Sequence, residues 1–500
     1  MRMIFVAALA AALAGCAIRP SLGTVDFPVS CSQPAQVEFD SAVALLHHMT
    51  YPQAREAFQR VLEIEPDCAM AHWGVAMTLF QPLWPTRPTA QGLLQGWEEV
   101  QKAKERAVTQ REQLFVAAGE AFFAEPSARD YWSRIRSWET AMSQLYTQFP
   151  DDAEAATFYA LAHLAASTPA TARDHADRAA EILASVRARN PDHPGAMHYL
   201  IHANDVPGRE RDSPEVTHKY SEVAPRNPHA LHMPTHIYTR LGEWDGVISG
   251  NLQAAAAALE HPAGEHGELV WDEFPHAIEY LVYAYLQKGM NDEAAEQLRR
   301  LLATGNLELT FKTAFHLAST QARYALERRV WSEAVALRAR EPATLDWNRF
   351  AWPEAITQFA RGLGAAHLND TQLATASIER LAALEAAART TGEQLFADNI
   401  RLLWLELRAW VAHAQGDGQI GIGLLQQAAA LELSTPKHAV TPGPTLPAEE
   451  LLGDMLTEQG RHAEALAAYR RALDLYPKRL NSLRGVARAA RASGGEELVK

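Results

Sequence analysis

The sequence reads HPGAMHYLIHAND at residues 193–205, HALHMPTHIYTRLG at 229–242 and WDEFPHAIEYLVYAYLQ at 271–287. In these stretches His198 and His202 are four residues apart, as are His232 and His236, so each pair lies on one face of a helix. The second pair follows the first by 34 residues, a period found in arrays of helix–turn–helix repeats. Equivalent helices of such repeats pack side by side, so we expect the two pairs to face one another.

The repeat pattern is clearest near the C terminus, in LLGDMLTEQGRHAEALAAYRRALDLYP at 451–477. Small residues, an aromatic residue and a closing proline stand there at the spacings of the tetratricopeptide repeat: Gly453, Ala465, Tyr469, Ala472 and Pro477. Ala54, Phe58 and Pro66 repeat part of the pattern near the N terminus. The chain therefore resembles tetratricopeptide-repeat proteins at both ends. Between them helical periodicity persists and no convincing strand pattern occurs. The resemblance implies an all-α fold, a right-handed solenoid of helix hairpins with a concave groove.

Composition and net charge restrict the kinds of partner that the protein is expected to bind. The 500 residues are 48% apolar and 21% charged, with a net charge of −14 and no basic stripe. Nucleic-acid backbones are bound by clustered positive charge, so we expect no nucleic-acid partner. Neither a phosphate loop, a dinucleotide fingerprint nor a GxSxG nucleophile motif occurs in the sequence.

The first residues have the pattern of an export signal. Arg2 precedes an apolar run at 4–13 that is too short to span a bilayer. The run ends in the sequence LAGC, which resembles the bacterial lipobox and implies cleavage after residue 15 and lipidation of Cys16. Ala17 follows where Asp would signal retention, so in a Gram-negative cell the resemblance implies the periplasmic face of the outer membrane. The alternative is an ordinary signal peptide with a chance cysteine.

Proline-rich stretches divide the rest of the chain. Residues 16–35 are predicted to form the tether, and residues 36–433 a degenerate repeat solenoid that carries the histidines. The stretch STPKHAVTPGPTLP at 434–447 either links this body to a C-terminal repeat group at 448–500 or lies across the groove.

Cys31 and Cys68 remain as a pair once Cys16 is assigned to the anchor. In an exported protein such a pair favours a disulfide. The alternative is two free buried thiols.

The histidines are candidate metal ligands, because neutral imidazoles four residues apart on a helix project the same way and suit Zn, Cu or Fe. Met197 and Met233 add thioethers, which favours copper. If the pairs meet at one point, four imidazoles would form a closed site, whereas three would leave a position open. The predicted metal-site residues are His198, His202, Asp205, His232, His236 and His276, with Asp205 either a ligand or a hydrogen-bond partner of one.

A metal-free polar groove that contacts a peptide is the alternative for the same histidines. No HExxH motif is present, so a zinc-protease interpretation is weak. His229 is a weaker candidate ligand. Asp272 and Glu273 are explained most simply as a solvated helix N terminus. Trp84, in the loop QPLWPTRP, either packs the repeats or lines the mouth of a ligand site.

Several blocks in order also resemble a narrower group of exported bacterial tetratricopeptide-repeat lipoproteins: SCS, AVALLHHMTY, CAMAHWG, HYLIHAND, HALHMPTHIYTRLG and LLGDML. The resemblance implies fold and compartment, and its paired cysteine positions favour the disulfide, but it implies no reaction. The predicted function is a lipid-anchored binding or scaffold protein, rather than an enzyme, whose groove holds a protein, peptide or small ligand. The alternative is a metal-binding protein or metal-dependent enzyme.

The anchor is directly testable. The change Cys16→Ser removes the thiol that the lipobox resemblance assigns to lipidation, so it should abolish incorporation of labelled fatty acid and release the protein from the membrane fraction. A variant that still fractionates with membranes would show that something other than this cysteine holds the protein there.

Overall fold

The computed structural model describes residues 21–84, 86–261, 263–264 and 267–493. The proposed signal segment and Cys16 lie outside the described residues. Within them the chain forms 24 α-helices and one short 3₁₀ helix. The helices are α1 Gln33–His47, α2 Tyr51–Ile64, α3 Ala69–Met77, α4 Ala90–Arg106, α5 Gln110–Phe123, α6 Tyr131–Gln148, α7 Ala153–Ala165, α8 Ala172–Arg189, α9 Pro194–Asn204, α10 Pro214–Val223, α11 Pro228–His232, α12 Pro234–Leu241, α13 Trp244–Glu260, α14 Glu273–Gln287, α15 Asn291–Ala303, α16 Phe311–Glu327, α17 Trp331–Ala336, the 3₁₀ helix Trp347–Arg349, α18 Ala351–His367, α19 Thr371–Thr390, α20 Gln394–Ala414, α21 Gly418–Ser434, α22 Ala448–Glu458, α23 His462–Leu475 and α24 Leu480–Ala492.

Consecutive helices pack as hairpins, and small residues let them approach closely. In the C-terminal group a Cβ at Gly453 or Gly485 would lie within 2.6 Å of the Tyr469 ring, so both positions require glycine. β-Pairing in the described residues is limited to two isolated bridges. The expected all-α solenoid of helix hairpins is confirmed, and no described helix has the length and apolarity needed to cross a membrane.

The array curls so that distant helices meet. Near the N terminus α1 packs on α9, and the backbone N–H of Thr24 donates to the carbonyl of Asp192 at 3.0 Å. At the other end α24 packs on α14, where the buried Arg479 pairs with Glu450 and Glu327 and donates to the Tyr283 hydroxyl. The inner helices α9, α11, α12 and α14 are therefore enclosed from both sides.

Two proline-rich loops fill the remaining space on the inner side. Trp84, in the loop at 81–88, contacts the rings of His229 and His276 with centroids 5.3 and 5.7 Å apart. The segment 434–447 lies across the inner helices, where Lys437 pairs with Asp205 at 2.6 Å and Arg323 donates to the carbonyl of Pro444 at 2.7 Å. The histidines are consequently buried rather than set along an open groove.

The proline in HMPTH divides its helix, as its missing N–H predicts. Helix α11 ends at His232 and α12 begins at Pro234, while Met233 between them keeps helical backbone angles of −53° and −40°. The result is a kink rather than a loop, and it places the His232 and His236 rings on consecutive short helices.

The structure joins Cys31 and Cys68 in a disulfide. Closing a loop of 37 residues restricts the unfolded chain, which stabilises the fold by about 3–4 kcal/mol in the chain-entropy estimate. Replacing both cysteines by Ala should lower the free energy of unfolding by that amount, as measured by urea denaturation. Wild-type protein in which both thiols titrate after unfolding without reductant would contradict the bridge.

Candidate functional site

The inner helices bring six histidines together in two groups of three. Triad A consists of His198 and His202 on α9 and His229 on α11. Its Nε2 atoms converge: that of His198 lies 3.2 Å from that of His202 and 3.1 Å from that of His229. The three rings offer one nitrogen each within 4.8 Å of one another.

Triad B consists of His232 on α11, His236 on α12 and His276 on α14. The Nε2 atoms of His232 and His236 are 3.0 Å apart, and the His276 ring lies 4.2 Å from that of His232, centroid to centroid. The two triads are side by side, since the His202 and His236 ring centroids are 6.0 Å apart. The sequence therefore predicted the correct helices but a single meeting point, whereas the structure forms two.

Hydrogen bonds on the far side of the rings determine which nitrogens carry protons. Nδ1 of His198 lies 2.6 Å from the backbone carbonyl of His47, which can only accept. Nδ1 of His232 lies 2.7 Å from Oδ1 of Asn251, whose amide nitrogen donates to the carbonyl of Val247. Both Nδ1 atoms must therefore donate. In the neutral rings both Nε2 atoms are then bare, that is, they carry no proton and can only accept.

Carboxylates anchor two further rings in the same way. Nδ1 of His229 lies 3.2 Å from Oε2 of Glu273, and Nδ1 of His236 lies 2.9 Å from Oδ2 of Asp205. An ionised carboxylate only accepts, so these Nδ1 atoms donate and their Nε2 atoms are bare too. Asp205 therefore lies behind the His236 ring instead of in the triad.

A two-step chain orients His276. Nδ1 of His316 donates to Glu279 at 2.5 Å, which leaves Nε2 of His316 to accept from Nδ1 of His276 at 2.8 Å. Nε2 of His276 is then bare, and this buried atom has no hydrogen-bond partner among the described residues. An unsatisfied buried polar atom costs about 1–3 kcal/mol, so a ligand that contacts Nε2 of His276 would stabilise the structure.

The facing Nε2 atoms cannot satisfy one another. In the pairs His198–His229 and His232–His236 both atoms present lone pairs at about 3 Å, with no proton between them. Nitrogens around an ion bound at about 2.0–2.1 Å in tetrahedral geometry lie about 3.3 Å apart, close to these distances. Convergent Nε2 atoms with Nδ1–H groups tied to acceptors are the arrangement of histidine metal ligands.

A third cluster of similar composition provides a contrast. Nε2 of His47 and Nε2 of His193 both donate to the buried carboxylate of Glu154, at 2.8 and 3.1 Å. Their Nδ1 atoms accept, from the Tyr199 hydroxyl at 3.1 Å and from the backbone N–H of Ala196 at 3.2 Å. Every ring nitrogen in this cluster is paired, so it is a complete hydrogen-bond network that leaves no lone pair for an ion.

Burial disfavours the protonated form of five triad rings. It lowers the pKa of His198, His202, His232 and His276 well below the usual value, and neighbouring histidines lower it further. Burial also lowers the pKa of His236 to about 4, although the hydrogen bond to Asp205 opposes the shift. Neutral imidazole is the form that binds metal.

The supporting carboxylates are ionised and already balanced by cations. Burial alone would raise the pKa of Asp205, but Lys437 and Arg240 hold it well below the usual range. The Lys312 ammonium, which contacts the Glu273 carboxylate, lowers the pKa of Glu273 in the same way, and the hydrogen bond from His229 adds to the shift. The proposed solvated helix N terminus at 272–273 is therefore wrong: Asp272 and Glu273 are buried, and Glu273 is a hydrogen-bond partner of a triad ring.

Several site residues escaped prediction from the sequence. The sequence makes His229 a weak candidate ligand because it stands three residues, not four, before His232. Residues i and i+3 nevertheless also share a helix face. His316 and Asn251 come from α16 and α13, where nothing in the local sequence marks them, and Glu279 stands beside His276 on α14 but acts through His316. Trp84 is buried and is one of the residues that line a cavity beside the site.

Comparisons with known proteins support the repeat character. A family model for the tetratricopeptide repeat matches residues 450–479. Among solved structures, the human IFIT1 dimer with PPP-AAAA is similar at 15% identity over 79% of this chain and 72% of that one, with a TM-score of 0.33. Yeast Tom70 is similar at 12% identity over 92% and 96%, with a TM-score of 0.30. These TM-scores are too low to support an inference, so the evidence for the repeat is the match at residues 450–479. No curated protein matches the sequence.

The proton assignments can be tested in metal-free protein labelled with ¹⁵N-histidine. Long-range ¹⁵N–¹H correlations should show the Nδ1–H tautomer for His198, His229, His232, His236 and His276. His47 and His193 should show Nε2–H and serve as internal controls. An Nε2–H signal from His232 or His236 would mean that this pair shares an ordinary hydrogen bond and needs no ion.

Proposed function

We propose that this protein binds two transition-metal ions, one in triad A and one in triad B. The observation that carries the proposal is the set of bare Nε2 atoms, which face each other at 3.0 and 3.1 Å while their Nδ1–H groups are held by acceptors. An ion in each triad would replace lone-pair repulsion by coordination and would give His276 Nε2 its missing partner.

The donor set favours copper, with zinc as the alternative. Each triad offers three neutral imidazoles and no carboxylate, a set that suits Cu and Zn better than the oxygen-preferring Mg or Ca. Non-haem iron sites commonly include a carboxylate ligand, and here Asp205 and Glu273 are turned to the Nδ1 side of the rings. Copper also binds more tightly than zinc to a given nitrogen site.

Three protein ligands leave a coordination position open, which is the pattern of catalytic rather than structural sites. The arrangement therefore supports a metal-dependent enzyme acting on a small molecule. The resident ions would supply Lewis-acid or redox chemistry. The protein holds five of the six rings by their Nδ1–H groups and keeps bulk water away with Trp84 and the segment 434–447.

Metal content tests this proposal. Full-length protein without a histidine tag should retain two ions per chain after loading with Cu or Zn and dialysis. The number of ions per chain is measured by elemental mass spectrometry. His198→Ala or His232→Ala should each retain about one, and the double variant His202→Ala/His236→Ala should retain fewer than either. The exposed His218 provides the matched control, and His218→Ala should retain both ions.

Circular dichroism of each variant would establish that helical content is unchanged. Wild-type protein that retains no more metal than the His202→Ala/His236→Ala variant would show that the triads are a metal-free polar cluster.

A binding or scaffold role is the second candidate. A helical repeat of the tetratricopeptide type supports protein or ligand binding in general. A cleft of about 1000 Å³ lined by Leu302 and Leu309, both about half exposed, offers a surface for a protein or peptide. Lipid anchoring at Cys16 and a periplasmic location remain part of this proposal.

A further inference from the structure

A cavity of about 370 Å³ opens beside triad A. His202 and Asp205 form one end of it, and His202 is the one triad ring that is not fully buried. The other walls come from separate parts of the chain: residues 82–84 and 87, α6, the α7–α8 connection, the start of α20 and residues 436–439. The cavity is thus the route by which a small molecule would reach the metal site.

The walls are mostly apolar. Leu83, Trp84, Ile135, Leu164 and Leu395 supply the larger side chains. An apolar cavity of about 150 Å³ is enough to hold benzene, so a volume of about 370 Å³ accommodates a molecule of one or two rings.

The charged groups along the inner walls are already paired. Arg87 makes two hydrogen bonds to Glu393, both 2.9 Å, and stacks over Tyr131 at 4.0 Å. Lys437 pairs with Asp205. Arg136 stands at the exposed rim and donates to the Ser133 hydroxyl. The interior therefore offers no unpaired charge for an anionic ligand.

One polar group in the wall, the His438 ring, has a hydrogen-bond donor without a partner among the described residues. Nδ1 of His438 accepts from the backbone N–H of Val440 at 3.0 Å, so the neutral ring carries its proton on Nε2. Burial lowers the pKa of His438 to about 3, which keeps the ring neutral. This Nε2–H has no acceptor among the described residues and is available to a ligand in the cavity.

We infer that this cavity is the substrate pocket of the proposed metal centre and that it takes a neutral one- or two-ring aromatic molecule bearing one oxygen. The oxygen accepts from His438, and the rings lie against Trp84 and the leucines. The inference rests on the proposed function for the metal that the molecule meets, but binding in the cavity does not itself require the ion.

The probe for this pocket is 2-naphthol, added to metal-free and metal-loaded full-length protein and followed by calorimetry. It should bind both forms. Naphthalene, which lacks the oxygen, should bind about threefold to tenfold more weakly, since that is the effect of one lost hydrogen bond. Naphthalene-2-sulfonate should bind more weakly still, and tighter binding of this anion would overturn the neutral-ligand assignment.

Two variants locate the site. Ala172→Trp fills the cavity and should abolish 2-naphthol binding without loss of metal, whereas Ala383→Trp on the exposed face of α19 is the matched control. His438→Phe keeps the ring shape and should abolish the preference for 2-naphthol over naphthalene. Unchanged 2-naphthol binding by Ala172→Trp would overturn the pocket assignment.

The outcomes separate the two proposals. Protein that retains metal but does not bind 2-naphthol contradicts the pocket alone. Protein that binds 2-naphthol in an Ala172-dependent way but retains no metal supports the pocket and contradicts the metal centre.

Discussion

The hydrogen bond from Nδ1–H to a fixed acceptor, made by every triad histidine except His202, is the interaction on which the site depends. It sets the tautomer, the direction of the ring and the exposure of a bare Nε2 atom. The acceptors differ in kind: a backbone carbonyl for His198, an amide oxygen for His232 and a carboxylate for His236. Their common effect distinguishes the triads from the His47–Glu154–His193 cluster, in which the same residue types satisfy each other completely.

Buried charge is organised around these hydrogen bonds. Three buried carboxylates each accept a hydrogen bond from a histidine, and each also contacts a cation. Asp205 contacts Arg240 and Lys437, Glu273 contacts Lys312, and Glu279 contacts Arg323. A buried carboxylate without such a partner would protonate or destabilise the fold. Because the cations come from α12, α16 and the segment 434–447, the site depends on packing between separate parts of the chain. The proline-rich segment thereby acts as a wall of the site.

Much of this arrangement follows from sequence patterns. Four-residue spacing placed His198 with His202, and the 34-residue shift placed His232 and His236 on the neighbouring inner helices. Repeat geometry could not give the division into two triads, because that depends on the kink at Pro234 and on His229, one turn before His232. The Nδ1 partners Asn251 and His316 could not be predicted either, since they belong to other helices and stand in ordinary helical sequence. Burial of the site by the loops at 81–88 and 434–447 depends on long-range packing that local periodicity does not encode.

The central claim is that six imidazoles hold two ions through Nε2. The most direct measurement is anomalous diffraction at the metal absorption edge from crystals of copper- or zinc-loaded protein. The account predicts two anomalous peaks, each at about 2.0–2.1 Å from three Nε2 atoms, one set from His198, His202 and His229 and the other from His232, His236 and His276. Peaks confined to surface histidines, or none between the facing Nε2 atoms, would contradict it.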